Sequence, residues 1–152
     1  MRFVKQTFAI TAVRFERQRI FQRVANAELM VELLFRQREQ GRYLLHGFVV
    51  MPDHLHVLVT PAESVEKSAQ MIKGGFSFAV RGQYKGEVWP KSFHEHRVRD
   101  GEDFRSQLGY IAMNPVRKGY EGYPYVHTMF SDRMDGIPEH LLDGARQIGD
   151  AE

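Results

Sequence analysis

An α+β fold on one antiparallel sheet is predicted by three observations. Four segments alternate like strands, three others space their apolar residues like helices, and the order is strand, helix, strand, strand, helix, strand, then a further helix. That order is the ferredoxin-like βαββαβ arrangement, with two helices on one face of the sheet and the added helix on the other. The chain has 152 residues, enough for one domain with a real core.

Residues 5–14 read as the first strand, with Phe8, Ile10 and Ala12 on one face and Ala9, Thr11 and Val13 on the other. Both faces are largely apolar, so a central position is expected. Residues 26–40 read as a helix with Asn26 as N-cap and a Leu29, Leu33, Leu34 stripe that stops before Gly41. Residues 42–51 and 54–60 read as two strands joined by a tight turn at Pro52-Asp53. A second helix covers 64–80, where Val65, Ala69, Ile72, Phe76 and Ala79 keep helical spacing and Gly74-Gly75 predict a kink or break. Residues 92–99 read as the fourth strand. Residues 102–113 read as the added helix, with Phe104, Leu108 and Ile111 facing the core. From Gly119 the chain is rich in Gly, Pro and Tyr, with a short helix expected over 139–147. The division expected is a domain over 1–120 and a C-terminal extension over 121–152.

The chain has no cysteine, which excludes disulfides, thiolate metal sites and a cysteine nucleophile. No apolar run approaches the roughly 20 residues that cross a bilayer. The N-terminus alternates like a strand and lacks a signal-peptide core, so a cytoplasmic, nucleoid-associated protein is expected, with no membrane partner. Net charge is +2, a mild pointer to a polyanion. The cations cluster: Arg14, Arg17, Arg19 and Arg23 after the first strand, Lys85, Lys91, Arg97 and Arg99 around the fourth, and Arg117 beside Lys118. A solvated basic surface explains such clusters equally well.

Two histidine pairs have the spacing of a strand face. His54 and His56 flank Leu55, and His94 and His96 flank Glu95. Period two puts each pair's imidazoles side by side on a stiff element, a geometry suited to a metal ion. Spacing modestly favours the first pair and leaves both open. In the added helix Tyr110 lies off the apolar stripe, and Asn114, four residues on, shares its face. Asn114 precedes Pro115, so the helix either ends there or Asn114 caps a new short turn.

These segments resemble a known family. Val50-Met51-Pro52-Asp53-His54-Leu55-His56-Val57-Leu58 resembles the metal-binding HUH segment of REP-associated tyrosine transposases, and 109–119, GYIAMNPVRKG, is similar to their nucleophile segment. Between them 89–99, WPKSFHEHRVR, resembles the family's W-x-x-x-F-x-E-H strand, and Phe8-Ala9-Ile10-Thr11 fits as first strand. The motifs are collinear over roughly residues 5–120. The resemblance implies Tyr110 as nucleophile and His54, His56 and Asn114 as metal ligands. It demotes His94, whose position is commonly aromatic in the family, and keeps His96 as a phosphate or strand-support candidate.

The activity that the resemblance implies is single-strand DNA nicking and strand transfer through a covalent 5′-phosphotyrosine, on DNA that forms a hairpin. The implied cofactor is Mg2+ or Mn2+, although two imidazoles by softness alone suit a late transition metal. Arg14, Arg17, Lys91, His96, Arg97, Arg99 and Arg117 are the candidate DNA contacts, with Tyr120, Tyr123 and Tyr125 as possible stacking groups. Asp53 is expected only to shape its turn. Monomer and homodimer both stay open. Two other readings compete: a non-catalytic nucleic-acid-binding module on the same sheet, and a metal-dependent phosphodiesterase with water as nucleophile.

Overall fold

The computed structural model describes residues 3–84, 87–128 and 132–142. Its strands are β1 (Thr7–Val13), β2 (Tyr43–Met51), β3 (His54–Pro61), β4 (His94–Val98) and a short β5 (Val126–His127). They form one sheet in the order β4-β1-β3-β2-β5, with every pairing antiparallel. The first four strands have the ferredoxin-like order predicted from the sequence, and β1 is interior as expected. Lys85 and residues 143–147 of the expected last helix lie outside the described residues. The part within them is a 3-10 turn at Glu139–Leu141.

Helices α1 (Val24–Glu39) and α2 (Val65–Ala79) cover one face of the sheet. Phe8, Ile10 and Ala12 of β1, Leu55, Val57 and Val59 of β3, and Phe48 and Val50 of β2 pack there against Met30, Leu34, Ile72 and Phe76. Helix α3 (Gly101–Arg117) covers the other face, where Phe104, Leu108 and Ile111 meet Val49, Met51, Leu58 and Val98. A β-bulge between Leu45 and Gly47 lets β2 serve both faces. It turns both His46 and Gly47 toward α3: the His46 ring stacks edge-on to Phe104 at 5.2 Å, and a Cβ on Gly47 would lie 2.8 Å from Leu108 Cδ2.

Three local expectations are corrected. Asn26 is not the N-cap of α1; Arg23 is, without a side-chain bond. A 3-10 turn at Ile20–Gln22 leads into the helix, and buried Asn26 donates instead to Ile20 O and Tyr84 Oη. Helix α2 runs unbroken through Gly74-Gly75, because Gly75 serves close packing: a Cβ there would lie 2.9 Å from Leu33 Cδ1 of α1. Ser64 caps α2, accepting from Lys67 N–H, a contact of about 1 kcal/mol. Helix α3 neither stops at Asn114 nor restarts there, but continues through Pro115 to Arg117. Gly119, at φ +85°, then turns the chain out while Tyr120 N–H bonds back to Pro115 O.

Past α3 the chain runs along β2. Tyr123 Oη donates to Val50 O, β5 pairs with Phe48 and Val49, and Asp135 accepts from Leu45 N–H and twice from Arg38.

Candidate active site

The strand period that buries Leu55 and Val57 against α1 and α2 turns His54, His56, Leu58 and Thr60 to the α3 face. Cross-strand register sets the neighbours: Thr11 lies between His56 on β3 and His94 on β4. Thr11 Oγ1 is 2.8 Å from His56 Nδ1, and Asp53 Oδ1 is 2.6 Å from His54 Nδ1. Each imidazole is thus held through Nδ1, which leaves Nε2 for a ligand, the usual outer-sphere support of a metal-binding histidine. The two rings stand edge to face at 4.7 Å between centroids. Burial holds the His56 ring at a pKa of about 4, with His54 and Arg117 adding to the effect, so it is a neutral imidazole at pH 7.

Tyr110 meets the His56 ring of this pair. Its ring is 5.2 Å from that of His56, nearly perpendicular, and the residue is 46% exposed to solvent. The Arg117 guanidinium lies 4.5 Å from the Tyr110 ring centroid and donates to Tyr110 O. Helix α3 runs opposite to β3: Phe104 meets His46 near the Thr60 end, and Tyr110 meets His56. One more turn carries Asn114 toward the His54 end. Asn114 is only 4% exposed, yet its Oδ1 has no hydrogen-bond partner. A buried carbonyl oxygen left unpaired costs about 1–3 kcal/mol; Ser68 Oγ and Arg14 Nε share that state, and of the three only Asn114 is on the helix that carries Tyr110.

The donor set fits a divalent ion in kind: two neutral imidazoles and an unpaired amide oxygen. Among the described residues no three His, Cys, Asp or Glu side chains gather into a group that could hold a metal ion.

The other expected contacts divide. His96 faces a groove of about 200 Å³ that Thr11, His56, Gln107 and Tyr110 also line, and its Nε2 is 2.7 Å from the Asp103 carboxylate. His94 lines the same groove. Arg17 is exposed and pairs with Asp53 Oδ2 at 3.2 Å. Arg99 approaches Asp103 at 3.6 Å. Arg97 falls on the opposite strand face, opposite Phe8, and Lys91 lies beside α2 on that side. Arg14 is corrected: it is 3% exposed and donates to Val88 O and Gln18, so it braces the β1–α1 loop and does not face solvent. Tyr123 packs between Tyr120, tilted at 5.4 Å between ring centroids, and Tyr125, edge to face at 5.5 Å.

Sequence reasoning undervalued Asp53. Its carboxylate bridges His54 and Arg17 and sits below the ordinary carboxylate range; burial alone would raise it, and His54 and Arg17 together outweigh burial. Its signal was its place directly before the histidine pair. Thr11 was missed as well, and its signal was a lone hydroxyl between Ala9 and Val13 on an otherwise apolar strand face.

No family model matches the chain. A REP-associated tyrosine transposase of Escherichia coli (strain K12) is 25% identical over 96 residues, which are 61% of this chain and 56% of that protein. A candidate REP-associated tyrosine transposase of Haemophilus influenzae is 31% identical over 94 residues, 50% of this chain and 53% of that protein. The chain therefore spans about half the length of the curated relatives it matches. Among solved structures, a REP-associated tyrosine transposase bound to a REP hairpin superposes with a TM-score of 0.64 at 19% identity, covering 91% of this chain and 97% of that one. A candidate transposase from Deinococcus radiodurans gives 0.51 at 19% identity, over 75% and 94%. At such identities the superpositions speak for the fold. The resemblance to REP-associated tyrosine transposases, first carried by the His54/His56 and Tyr110 segments, is thus found again in the chain's sequence relatives and in its fold.

Proposed function

We propose that this chain nicks and rejoins single-stranded DNA, with Tyr110 as nucleophile, on DNA next to a hairpin. The observation that carries the reading is the contact, within one chain, of the Tyr110 ring with His56, whose ring in turn meets that of His54. The kinship in sequence with proteins named REP-associated tyrosine transposases supports it. So does the likeness in fold to one bound to a REP hairpin.

In this reading the Tyr110 oxygen attacks the scissile phosphorus. A bond forms from that oxygen to phosphorus and the bond to the 3′ oxygen breaks. Tyr110 gives up its phenolic proton, and the departing strand leaves as a 3′-hydroxyl. A second 3′-hydroxyl reverses the exchange and joins a new strand, so bond energy is conserved in the protein–DNA link. Half exposure of Tyr110 leaves room for a strand to reach it, and Arg117 places a cation beside the phenol as phosphate approaches. His54, His56 and Asn114 would hold Mg2+ or Mn2+, which when bound supplies charge neutralisation and alignment at the phosphate. Asp53 and Thr11 fix the two rings so that little freedom is lost when an ion binds. The contact between Tyr110 and His56 forms inside one chain.

The test is an end-labelled, hairpin-bearing single strand incubated with the protein and Mn2+. The expected product is DNA covalently linked to the protein and resistant to denaturation. Tyr110→Phe should abolish the linked product and leave binding intact. A stable adduct in that variant sinks the assignment; nicking without any linked product points to the water-using phosphodiesterase instead. Binding unaffected by a chelator, with no nicking at all, points to the non-catalytic module.

A further inference from the structure

The histidine pair lies between two clefts of different chemistry. The groove on the β4 side is lined by His94, His96 and Gln107 with one acid, Glu95. The cleft on the other side, about 270 Å³, is lined by His54, Asp53, Arg17, Arg19, Lys118 and Tyr120. Three cations face one acid there. Arg17 is paired with that acid, whereas neither Arg19 nor Lys118 is in an ion pair among the described residues. Arg19 donates to Tyr120 Oη at 2.9 Å, which ties the β1–α1 loop to the chain leaving α3.

The backbone holds this arrangement at a cost. Glu16 and Arg17 both adopt left-handed conformations, φ +54° and +53°, which non-glycine residues rarely take in succession. The strained turn brings Arg17 to Asp53, and so to the partner of His54. Gly119, also left-handed, puts Lys118 and Tyr120 on the opposite wall. Two unpaired cations with an aromatic ring, in an open cleft that ends at His54, match a phosphodiester backbone with an unpaired base on the ring.

We infer that this cleft is a clamp for the single strand on one side of the scissile phosphate, with Arg19 and Lys118 on successive phosphates and Tyr120 under a base. The substrate class rests on the function proposed above, but the clamp is tested by binding alone.

The experiment measures affinity for a labelled oligothymidine across a salt series, with every variant built on the full-length Tyr110→Phe chain so that no cleavage intervenes. Each phosphate contact to a single strand contributes about 0.7 to the slope of log K against log salt. R19Q/K118Q should therefore lower the slope by about 1.4 and weaken binding roughly tenfold at low salt. R36Q/K67Q removes the same charge from exposed positions on α1 and α2 and should leave both nearly unchanged. Tyr120→Leu should weaken single-strand binding at an unchanged slope. All four replaced cations are exposed, and circular dichroism and melting verify that each variant folds. If R19Q/K118Q matches R36Q/K67Q in slope and affinity, the clamp is overturned. Clamp effects in a chain whose Tyr110 form never makes a protein–DNA link would uphold the clamp and defeat the proposed chemistry.

Discussion

The two faces of the sheet are built to different standards. Against α1 and α2 the strands present an almost wholly apolar layer: Phe48, Val57, Val59, Leu34 and Phe76 are at most 1% exposed. Against α3 the apolar patch is smaller, and polar groups interrupt it. At one end lie His54, His56 and Asn114; at the other, His46, Thr60 and Thr7 form a buried hydrogen-bonded chain that reaches His140. One face supplies most of the hydrophobic stabilisation. The other carries buried polar groups on the strands themselves; an unpaired polar atom occurs on both sides, at Asn114 here and at Ser68 and Arg14 on the first.

The sharpest way to break that contrast is to cut the apolar face. Phe76 is fully buried between Phe21 and Trp89, with ring centroids 5.0 and 6.0 Å away. Phe76→Ala should cost about 3–5 kcal/mol, seen as a lower urea midpoint. The linked DNA product per folded molecule should stay unchanged. A selective loss of adduct formation in a variant that still folds would mean that the two faces are coupled more tightly than their packing indicates.

Acid should attack the polar face first. Burial holds His46 at a pKa of about 4, with Asp135 O on one nitrogen and Thr60 on the other. The folded value is below the unfolded one of about 6.5, so the neutral ring's contribution is complete above pH 6.5. It declines as pH falls toward 4 and changes no further below that. A depression from about 6.5 to about 4 corresponds to about 3 kcal/mol. His56 and His127, also depressed by burial, add to the same window. Chemical denaturation between pH 7 and 4 should show the decline, and His46→Gln should make it shallower. An unchanged slope in that variant would place the acid sensitivity elsewhere.

The uneven legibility of the sequence follows the same division. Where one period governs, as in β3 with Leu55, Val57 and Val59 inward and His54 and His56 outward, pattern alone predicted element and face. The helix α3 stripe was equally plain. What failed were features set by partners distant in sequence. Arg14 looks like a surface cation until Val88 O and Tyr84 are brought against it. Asn26 has the chemistry of a cap, yet the loop before α1 and Tyr84 claim its amide. Gly74-Gly75 reads as a weak point because the close approach of α1 is invisible along the chain. Proline propensity favoured ending α3 at Asn114, but the turn at Gly119 completes the helix beyond it. For the site, spacing favoured the first histidine pair only modestly; family motifs chose between them, and the Tyr110–His56 contact accords with that choice.

The smallest effect tests the trade between stability and chemistry most directly. Asn114 holds in a buried position a carbonyl oxygen that bonds to nothing in the protein. Leucine has nearly the same shape, has the higher helix propensity, and leaves no polar atom unpaired. Asn114→Leu should therefore stabilise the metal-free chain by about 1 kcal/mol, read as a raised melting temperature. Added Mn2+ should raise the melting temperature of the parent chain by mass action, and that increment should shrink or vanish in the variant. If Asn114→Leu instead destabilises the metal-free protein and keeps the full Mn2+ increment, Asn114 is a packing residue of α3. The unpaired oxygen then needs another explanation. A chain that becomes sturdier while losing its ion would show that this face gives up stability at Asn114 to keep a ligand.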